Sequence, residues 1–385
     1  MTGRSIDKAT LIDWLGDGLE LAVLDIRPVN EVGYVSPLFA TNLPAEYLEA
    51  EIDRFVPRRV IRTVLVDGGD GTAEAATARL SKVGRTDVHF LRGGIAGWVD
   101  GGAEQLPTFD VPGIRFVTKV REERQTPMVS AVELKAWHDQ GENVIVLDTR
   151  TLGEYEKAHV PGAVGVPGAE LLLRFKDVVS SPETKVVVSC AGLPRAILGA
   201  QTLIDAGVSN FVAYLDDGTR GWTEAGFDLE VGLTATYREP TETARRFASE
   251  HGESLSARDV LTFINRQTAE TWNADPARTT YLLDVRTPEE FARAHLPGSI
   301  SSEGGQLLGV SYRTIAVRGA RVVLVDDLLG SRARIVAHWL ARRGFEIAIL
   351  LHDFQAEERA VADAGFVLAR TRSDVLNTTG VSRRS

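Results

Sequence analysis

The sequence repeats one order of segments three times, and this repetition limits the fold more than any other feature. Each repeat begins with an apolar run that ends in Asp-x-Arg, at Asp25–Arg27, Asp148–Arg150 and Asp284–Arg286. A second apolar run follows roughly 40 residues later, at 63–67, 186–190 and 322–326. A repeat of roughly 125 residues has the length of a whole domain and is too long for a solenoid unit.

Helical and apolar segments alternate within each repeat. The second apolar run leads into an alanine-rich stretch that predicts a helix, at 72–82, 195–206 and 331–343. A third apolar run follows, at 88–91, 211–214 and 347–351. Such alternation indicates βα units on a mostly parallel sheet, and continuous apolar runs are typical of strands covered by helices on both faces. The sequence predicts an α/β protein of three tandem domains.

The domain boundaries are predicted from changes in composition. Residues 104–126 and 234–253 are polar and contain proline or charge clusters, which favours linkers, and the tail 371–385 is polar and expected to be loose. The three domains are therefore expected at 1–112, 124–235 and 253–370.

Composition excludes several classes of function. The net charge of −10 argues against nucleic acid or an anionic membrane as the main partner. No apolar stretch approaches the roughly 20 residues needed to cross a bilayer, and residues 1–19 have no continuous apolar core, so we expect neither a signal peptide nor an anchor. Seven scattered histidines and one cysteine have no metal-ligand spacing, so no metal is expected. A free thiol suits a reducing cytoplasm.

The single cysteine, Cys190, lies where a nucleophile would be placed. It ends the apolar run 186–190, and a tight loop separates it from a helix predicted to begin at Arg195. Loop N–H groups, the positive end of the helix dipole and a guanidinium all favour thiolate over thiol, so we expect a pKa below the ordinary value of about 8.5. The alternative is a buried core cysteine, the commoner fate of lone cysteines.

These motifs together resemble the rhodanese family of sulfurtransferases. The third repeat shares the front half of the pattern with the second, at Asp284–Arg286, Glu290-Phe291 and His295-Leu-Pro297-Gly298. The first repeat keeps Asp25–Arg27 and Gly97-Trp98 but lacks His-x-Pro-Gly. In the second repeat, the matching residues are Asp148–Arg150, Glu154-Tyr155, His159-Val-Pro161-Gly162-Ala163, the strand into Cys190, and Gly221-Trp222.

The resemblance implies a function for the cysteine loop. In rhodaneses such a loop curls so that its N–H groups point at the sulfur and hold an anion or a cysteine persulfide. Cys190 would be the catalytic nucleophile, and Ala191, Gly192, Leu193, Pro194 and Arg195 would bind the substrate, with no cofactor. Gly192 would allow a close backbone approach, and Arg195 would hold an anionic donor.

The implied reaction moves a sulfane sulfur from a donor such as thiosulfate to cyanide or a thiol, with a protein acceptor as a further option. Thiosulfate-specific relatives usually carry basic residues after the cysteine, whereas Ala191 and Leu193 stand here, so the preferred donor stays open. The related phosphatases use a loop one residue longer, which disfavours phosphatase or arsenate reductase activity. A non-catalytic scaffold or a sulfur-carrier protein is the main alternative.

The other two repeats have no sulfur at the corresponding position. Alignment of the strands places Asp67 and Asp326 where Cys190 stands. A carboxylate cannot carry a sulfane sulfur and would repel an anionic donor. The first and third repeats are therefore expected to be catalytically silent.

The remaining motifs favour structural interpretations. The Asp-x-Arg pairs are expected to brace loops through charge-assisted hydrogen bonds. Gly162 and Gly298 are expected to supply backbone conformations that other residues reach with difficulty. His159 has a counterpart, His295, in a repeat without a thiol, which favours a structural role for both. Trp98 and Trp222 are expected to anchor a closing helix in the core.

Overall fold

The computed structural model describes residues 4–32, 40–99, 111–258 and 261–354. These residues form three β-sheets flanked by helices, which confirms the predicted α/β fold. They cluster into two compact units, whose described residues come from Met1–Arg115, Gln267–Tyr281 and Val310–Val322 in one unit and from Phe116–Arg266, Leu282–Gly309 and Val323–Ser385 in the other. The three predicted domain boundaries stay predictions.

The first repeat forms a sheet in the order β1-β5-β4-β2 with β3 beside β2, and all of these strands are parallel. Its core contains Leu21, Val23, Val64 and Leu91. The elements are β1 (Arg4–Ile6), α1 (Lys8–Gly16), β2 (Leu21–Asp25), β3 (Thr41–Asn42), α2 (Leu48–Phe55), β4 (Arg62–Val66), α3 (Thr72–Lys82), β5 (Val88–Leu91) and α4 (Gly94–Val99).

The second repeat forms a parallel sheet in the order β6-β10-β9-β7-β8. Short 3₁₀ turns aside, its elements are α5 (Val111–Arg124), β6 (Met128–Val129), α6 (Ala131–Asp139), β7 (Val144–Asp148), α7 (Leu152–Lys157), β8 (Val164–Gly165), α8 (Leu171–Val178), β9 (Lys185–Ser189), α9 (Pro194–Ala206), β10 (Val212–Leu215), α10 (Gly218–Glu224) and α11 (Glu242–Arg258). A 3₁₀ turn at Gly168–Glu170 precedes α8.

The third repeat forms a sheet in the order β11-β16-β15-β12-β13. Its elements are β11 (Thr262–Phe263), α12 (Arg266–Asn273), β12 (Thr280–Asp284), α13 (Pro288–Arg293), β13 (Ile300–Ser301), α14 (Gly304–Val310), β14 (Val317–Arg318), β15 (Arg321–Asp326), α15 (Ser331–Arg342) and β16 (Glu346–Leu351). The two-residue strand β14 pairs antiparallel with β2 of the first sheet. No motif of the sequence predicts that a strand of the third repeat joins the sheet of the first.

Two segments interpreted as linkers contain helices. The predicted linker 104–126 overlaps α5, and 234–253 overlaps α11. Both helices are mostly polar and charged, which is why their composition resembles a linker. α11 nevertheless buries Ala244, Phe247 and Leu255 and packs against α8, so a narrow apolar stripe holds it on the core.

The structural interpretations of the other motifs are confirmed. Each Asp-x-Arg pair is buried and bonded through both carboxylate oxygens, and Arg150 also donates to the Ala158 carbonyl at the far side of its loop. Gly162 and Gly298 have φ of 74° and 77°, a region that favours glycine. The imidazole of His159 hydrogen-bonds to the Tyr155 carbonyl and stacks on the Tyr155 ring.

His295 repeats this contact with Phe291 in the third repeat. Trp98 and Trp222 are buried, as expected for core anchors. Within the described ranges, no helix combines the length and apolar character that a membrane span requires.

Candidate active site around Cys190

Cys190 directly follows β9, which lies between β7 and β10 in the second sheet. Helix α9 begins at Pro194, one residue before the predicted start, so the turn between strand and helix is only four residues long, Cys190–Leu193. Proline at the first helical position suits a place whose N–H has no partner inside the helix. In the turn, Ala191 is exposed, and Gly192 and Leu193 are half-buried, as are Pro194 and Arg195 at the start of α9.

The sulfur faces backbone groups of its own loop. The Gly192 N–H points at Sγ over 3.4 Å, and the Ala196 N–H in the first turn of α9 points at it too. Sγ also lies 3.1 Å from the Gly192 carbonyl oxygen, to which a thiol can donate its proton. The loop can therefore hold either a protonated thiol, through the carbonyl, or a negative sulfur, through the N–H groups.

The expected low pKa of Cys190 is wrong for this conformation. Burial raises the pKa of the thiol above its ordinary value, because only 1% of the residue is exposed and the charged form loses its water. The positive charge of Arg195 and the N–H groups of Gly192 and Ala196 lower the pKa but do not offset the burial. The sequence shows these favourable groups, but it does not show how deeply the sulfur is buried.

The first turn of α10 packs against the backbone of the cysteine loop. The Thr219 N–H donates to the Cys190 carbonyl over 2.9 Å, and a Cβ on Gly218 would lie only 2.0 Å from that oxygen. Gly218 also has a φ of 53°, so a side chain is excluded for two reasons. Sequence reasoning missed Gly218, although Asp216-Asp217-Gly218 after the apolar run to Leu215 is a turn signal.

Arg195 is held by a carboxylate that sequence reasoning did not pair with it. Its two terminal nitrogens donate to Glu154 over 2.7 and 2.9 Å. Burial alone would raise the pKa of Glu154, but the hydrogen bonds and charge of Arg195 hold it well below the usual range. The pKa of Arg195 is correspondingly raised, against its own burial. The guanidinium thus lies near the sulfur as half of an ion pair.

Glu154 is fixed by the helix it belongs to. Thr151 caps α7, and its hydroxyl accepts from the Glu154 N–H over 3.2 Å. In return, Glu154 Oε2 accepts from the Thr151 N–H over 3.1 Å. This capping box is visible as Thr-x-x-Glu in the sequence, and it holds the carboxylate that orients Arg195.

The sister loops hold a carboxylate where the second repeat holds sulfur. Asp67 accepts from the N–H groups of Gly69 and Ala73 over 2.9 and 2.8 Å. Ala73 and Ala196 both stand six residues after the aligned position. The carboxylate therefore occupies the place that a bound anion would take.

The third repeat repeats this arrangement in a loop one residue longer. Asp326 accepts from the N–H groups of Asp327 and Ala333, each over 2.9 Å. Burial and the neighbouring Asp327 raise the pKa of Asp326 to about 7. Within the described part of the chain, no group of three or more His, Cys, Asp or Glu side chains is placed to hold a metal ion.

Comparison with known proteins identifies the domain type. The family model of the rhodanese-like domain matches residues 130–225 and 266–356, within the second and third repeats. Among solved structures, a thiosulfate sulfurtransferase from Pseudomonas aeruginosa is 41% identical with a TM-score of 0.84, covering 90% of this chain and 66% of its own.

Two curated proteins match over shorter stretches. YrkF, a candidate sulfur carrier protein of Bacillus subtilis, is 31% identical over 97 residues, which are 25% of this chain and 51% of YrkF. A transcriptional regulator of the helix-turn-helix type from Mycobacterium tuberculosis is 30% identical over 104 residues, which are 27% of this chain and 45% of the regulator. The chain thus spans about half the length of the curated relatives that it matches.

Proposed function

We propose that this chain, which belongs to the rhodanese-like family, is a sulfurtransferase that carries a sulfane sulfur on Cys190. One observation supports the proposal most: the backbone N–H groups that the carboxylates of Asp67 and Asp326 take up in the sister loops point at a sulfur in the second repeat. The N–H group from the first turn of the following helix is common to the three loops, and of their aligned residues only Cys190 has an atom that can bond to sulfur.

The first half-reaction loads the enzyme. Sγ attacks the outer sulfur of thiosulfate, a new S–S bond forms, and the old S–S bond breaks with its electron pair going to sulfite. The thiol proton leaves with the sulfite as bisulfite, so that protein thiol and thiosulfate become protein persulfide anion and bisulfite. Gly192 and Ala196 would donate to the negative outer sulfur, and Arg195 would attract the anionic donor.

The second half-reaction unloads the enzyme. Cyanide or a thiolate attacks the outer sulfur, the persulfide bond breaks, and its electrons return to Sγ. The products are thiocyanate, or a persulfide of the acceptor, and the Cys190 thiolate. Neither step needs a cofactor. We propose small-molecule donors and acceptors as partners, and a cytoplasmic location, where a free thiol stays reduced.

A sulfur-carrier role is the second candidate. The observation that favours it is the burial of Cys190 with a raised thiol pKa, which slows exchange with small molecules in water. The similarity to YrkF is consistent with it. A carrier would accept one sulfur and hold it until a partner protein arrived, whereas an enzyme would turn over with cyanide alone.

Mass spectrometry and turnover test both candidates. After treatment with thiosulfate, the intact wild-type protein should gain one sulfur atom, which cyanide removes as thiocyanate over many cycles. Cys190→Ser should gain none, because no other thiol is present. Asp67→Ala is the matched control at the aligned position of the first repeat and should keep its turnover per folded molecule. Turnover by folded Cys190→Ser would rule out the proposal, and a single loading without turnover would favour the carrier.

A further inference from the structure

Helix α14 of the third repeat lies against the charged pair beside the cysteine loop. The Gln306 amide donates to Glu154 Oε2 over 3.0 Å, the same oxygen that accepts from Arg195 Nη1. Three residues further along, a Cβ on Gly309 would stand 3.0 Å from Arg195 Cγ. The third repeat therefore supplies a hydrogen bond and a close backbone surface to the Glu154–Arg195 pair.

The second repeat makes the reverse contact. Glu170 occupies the same place in its repeat as Gln306, because each stands 22 residues after the aspartate of Asp-x-Arg. Glu170 binds Arg332, and Arg332 also donates to Glu290 over 2.8 Å. Glu290 is the capping-box glutamate of α13, as Glu154 is of α7. Each repeat thus contributes one side chain, Gln306 or Glu170, to the glutamate–arginine pair of the other repeat.

The two reciprocal contacts differ in charge. On the silent side, Arg332 lies among four carboxylates, those of Glu170, Glu290, Asp326 and Asp327. On the cysteine side, the reciprocal residue is a neutral amide. Arg195 therefore keeps one bonded carboxylate where Arg332 has several, and the field at the cysteine loop is less negative.

We propose that Gln306 determines donor charge specificity at Cys190: its neutral amide holds Glu154 on Arg195 without placing a second carboxylate there. A glutamate at 306 would compete for Arg195 and repel an anionic donor at close range. This inference rests on the proposed function for its meaning. Its test, however, can be read without sulfur transfer.

Alkylation of the single thiol measures the charge preference directly. Iodoacetate is an anion and iodoacetamide is neutral, and both transfer a carbon to Sγ while iodide leaves and the thiol proton passes to the buffer. Because the two reagents are similar in size, the restricted access to Cys190 cancels in the ratio of their rates. Gln306→Glu should lower the iodoacetate-to-iodoacetamide ratio roughly three- to tenfold at low salt, and less at high salt.

Three further variants make the result specific. Gln140→Glu adds the same charge at an exposed site and should leave the ratio unchanged. Gln306→Met removes the hydrogen bond without adding charge and should change the ratio less than about twofold. Gln306→Lys should raise the ratio, which keeps the test decisive if circular dichroism shows that Gln306→Glu is unfolded.

The outcomes are distinct. A folded Gln306→Glu with the wild-type ratio, an equal drop in Gln140→Glu or Gln306→Met, or no rise in Gln306→Lys would each overturn the inference. If sulfur transfer occurs, Gln306→Glu should raise KM for thiosulfate more than it lowers kcat. If the wild-type protein shows no sulfur transfer, the proposed function fails, and the alkylation ratios still decide the role of Gln306.

Discussion

At Cys190, burial and charge act on the same thiol in opposite directions. The sulfur has two N–H groups and a guanidinium near it, but it is almost completely removed from water. Burial is the larger effect and raises the pKa. The direction of the pKa shift at Cys190 is therefore set by burial and not by the charged and polar groups around the sulfur.

Alkylation of Cys190 by iodoacetamide as a function of pH should therefore have its midpoint above the free-cysteine value of about 8.5. Arg195→Ala should raise the midpoint further, because it removes the positive charge that favours the thiolate, and Arg195→Lys should stay nearer to wild type. The double variant Arg195→Ala/Glu154→Gln is the control, since it leaves no stranded carboxylate. A wild-type midpoint below 8.5 would show that burial does not dominate.

Glu303, directly before α14, is a second group whose titration the structure alters. Burial raises its pKa to about 8, with Glu170 and Glu154 adding to the effect and Arg195 opposing it. At a pH between the ordinary glutamate pKa and about 8, Glu303 therefore keeps its proton in the native state and loses it in the unfolded chain. Glu303 makes no difference to stability below its ordinary pKa, and it lowers stability progressively as pH rises from there to about 8.

Glu303→Gln should remove this pH dependence. Relative to wild type, the variant should gain on the order of 2 kcal/mol at pH 9 and little at pH 4, the full linkage value being reduced by partial exposure of the side chain. Urea unfolding at the two pH values measures it, with exposed Glu253→Gln as the control. An equal gain at both pH values would contradict a shifted titration.

At the scale of the elements, a strand, a short loop and a helix recur three times, with aspartate at the loop start in the first and third repeats and cysteine in the second. The atom at the loop start changes from carboxylate oxygen to sulfur, while an N–H group from the first turn of the following helix faces it each time, from Ala73, Ala196 and Ala333. The element therefore positions the chemistry, and the residue type decides it. The same scale explains why the two predicted linkers contain helices: α5 and α11 carry few apolar residues and bury some of those few, such as Val117 and Phe247.

Phe247→Ala should show that α11 is part of the core. Phe247 stacks on Phe175 of α8 with ring centroids 5.3 Å apart. Its loss should cost about 3 kcal/mol of unfolding free energy, because the aromatic contact disappears and a cavity remains. Glu253→Ala on the exposed face of the same helix should cost less than about 0.5 kcal/mol. Equal, small effects of both substitutions would restore the linker interpretation.

At the scale of the whole molecule, glycines allow a close contact between the second and third repeats. Gly304 and Gly305 face Ala169 and Gly168, the turn before α8. A Cβ on Gly304 would lie 2.7 Å from the Ala169 Cβ and 2.8 Å from a methyl group of Val336. This close approach lets Glu170 bond Arg332 of the third repeat and Gln306 bond Glu154 of the second.

Gly304→Ala should therefore destabilise the protein by about 1–3 kcal/mol, the usual effect of forcing extra atoms into a packed core. Thermal unfolding measures it. The matched control is Gly153→Ala on α7, where a Cβ would meet nothing within 4 Å and where alanine should stabilise the helix by up to about 1 kcal/mol. If the two substitutions had the same effect, the close approach at Gly304 would be wrong.

The sequence by itself determined the features that local rules and repetition carry. Alternating apolar and helical runs place the three main strands of each repeat and the helix after the second of them within a residue or two, because strands covered on both faces and helices after them leave strong periodic signals. The short strands at the sheet edges and most of the other helices were not predicted. The Asp-x-Arg braces and the turns at Gly162 and Gly298 follow from side-chain chemistry at short range. The resemblance carried by these motifs identified the family.

Only the tertiary structure decided which distant groups meet. Glu154 lies 41 residues from Arg195, and Gln306 lies 152 residues from Glu154, so neither contact leaves a periodic signal in the chain. The same holds for β14, which pairs with a strand almost 300 residues earlier. The burial of Cys190 is likewise a sum over neighbours from many segments, and it reverses the direction of the pKa shift that the loop residues alone predict.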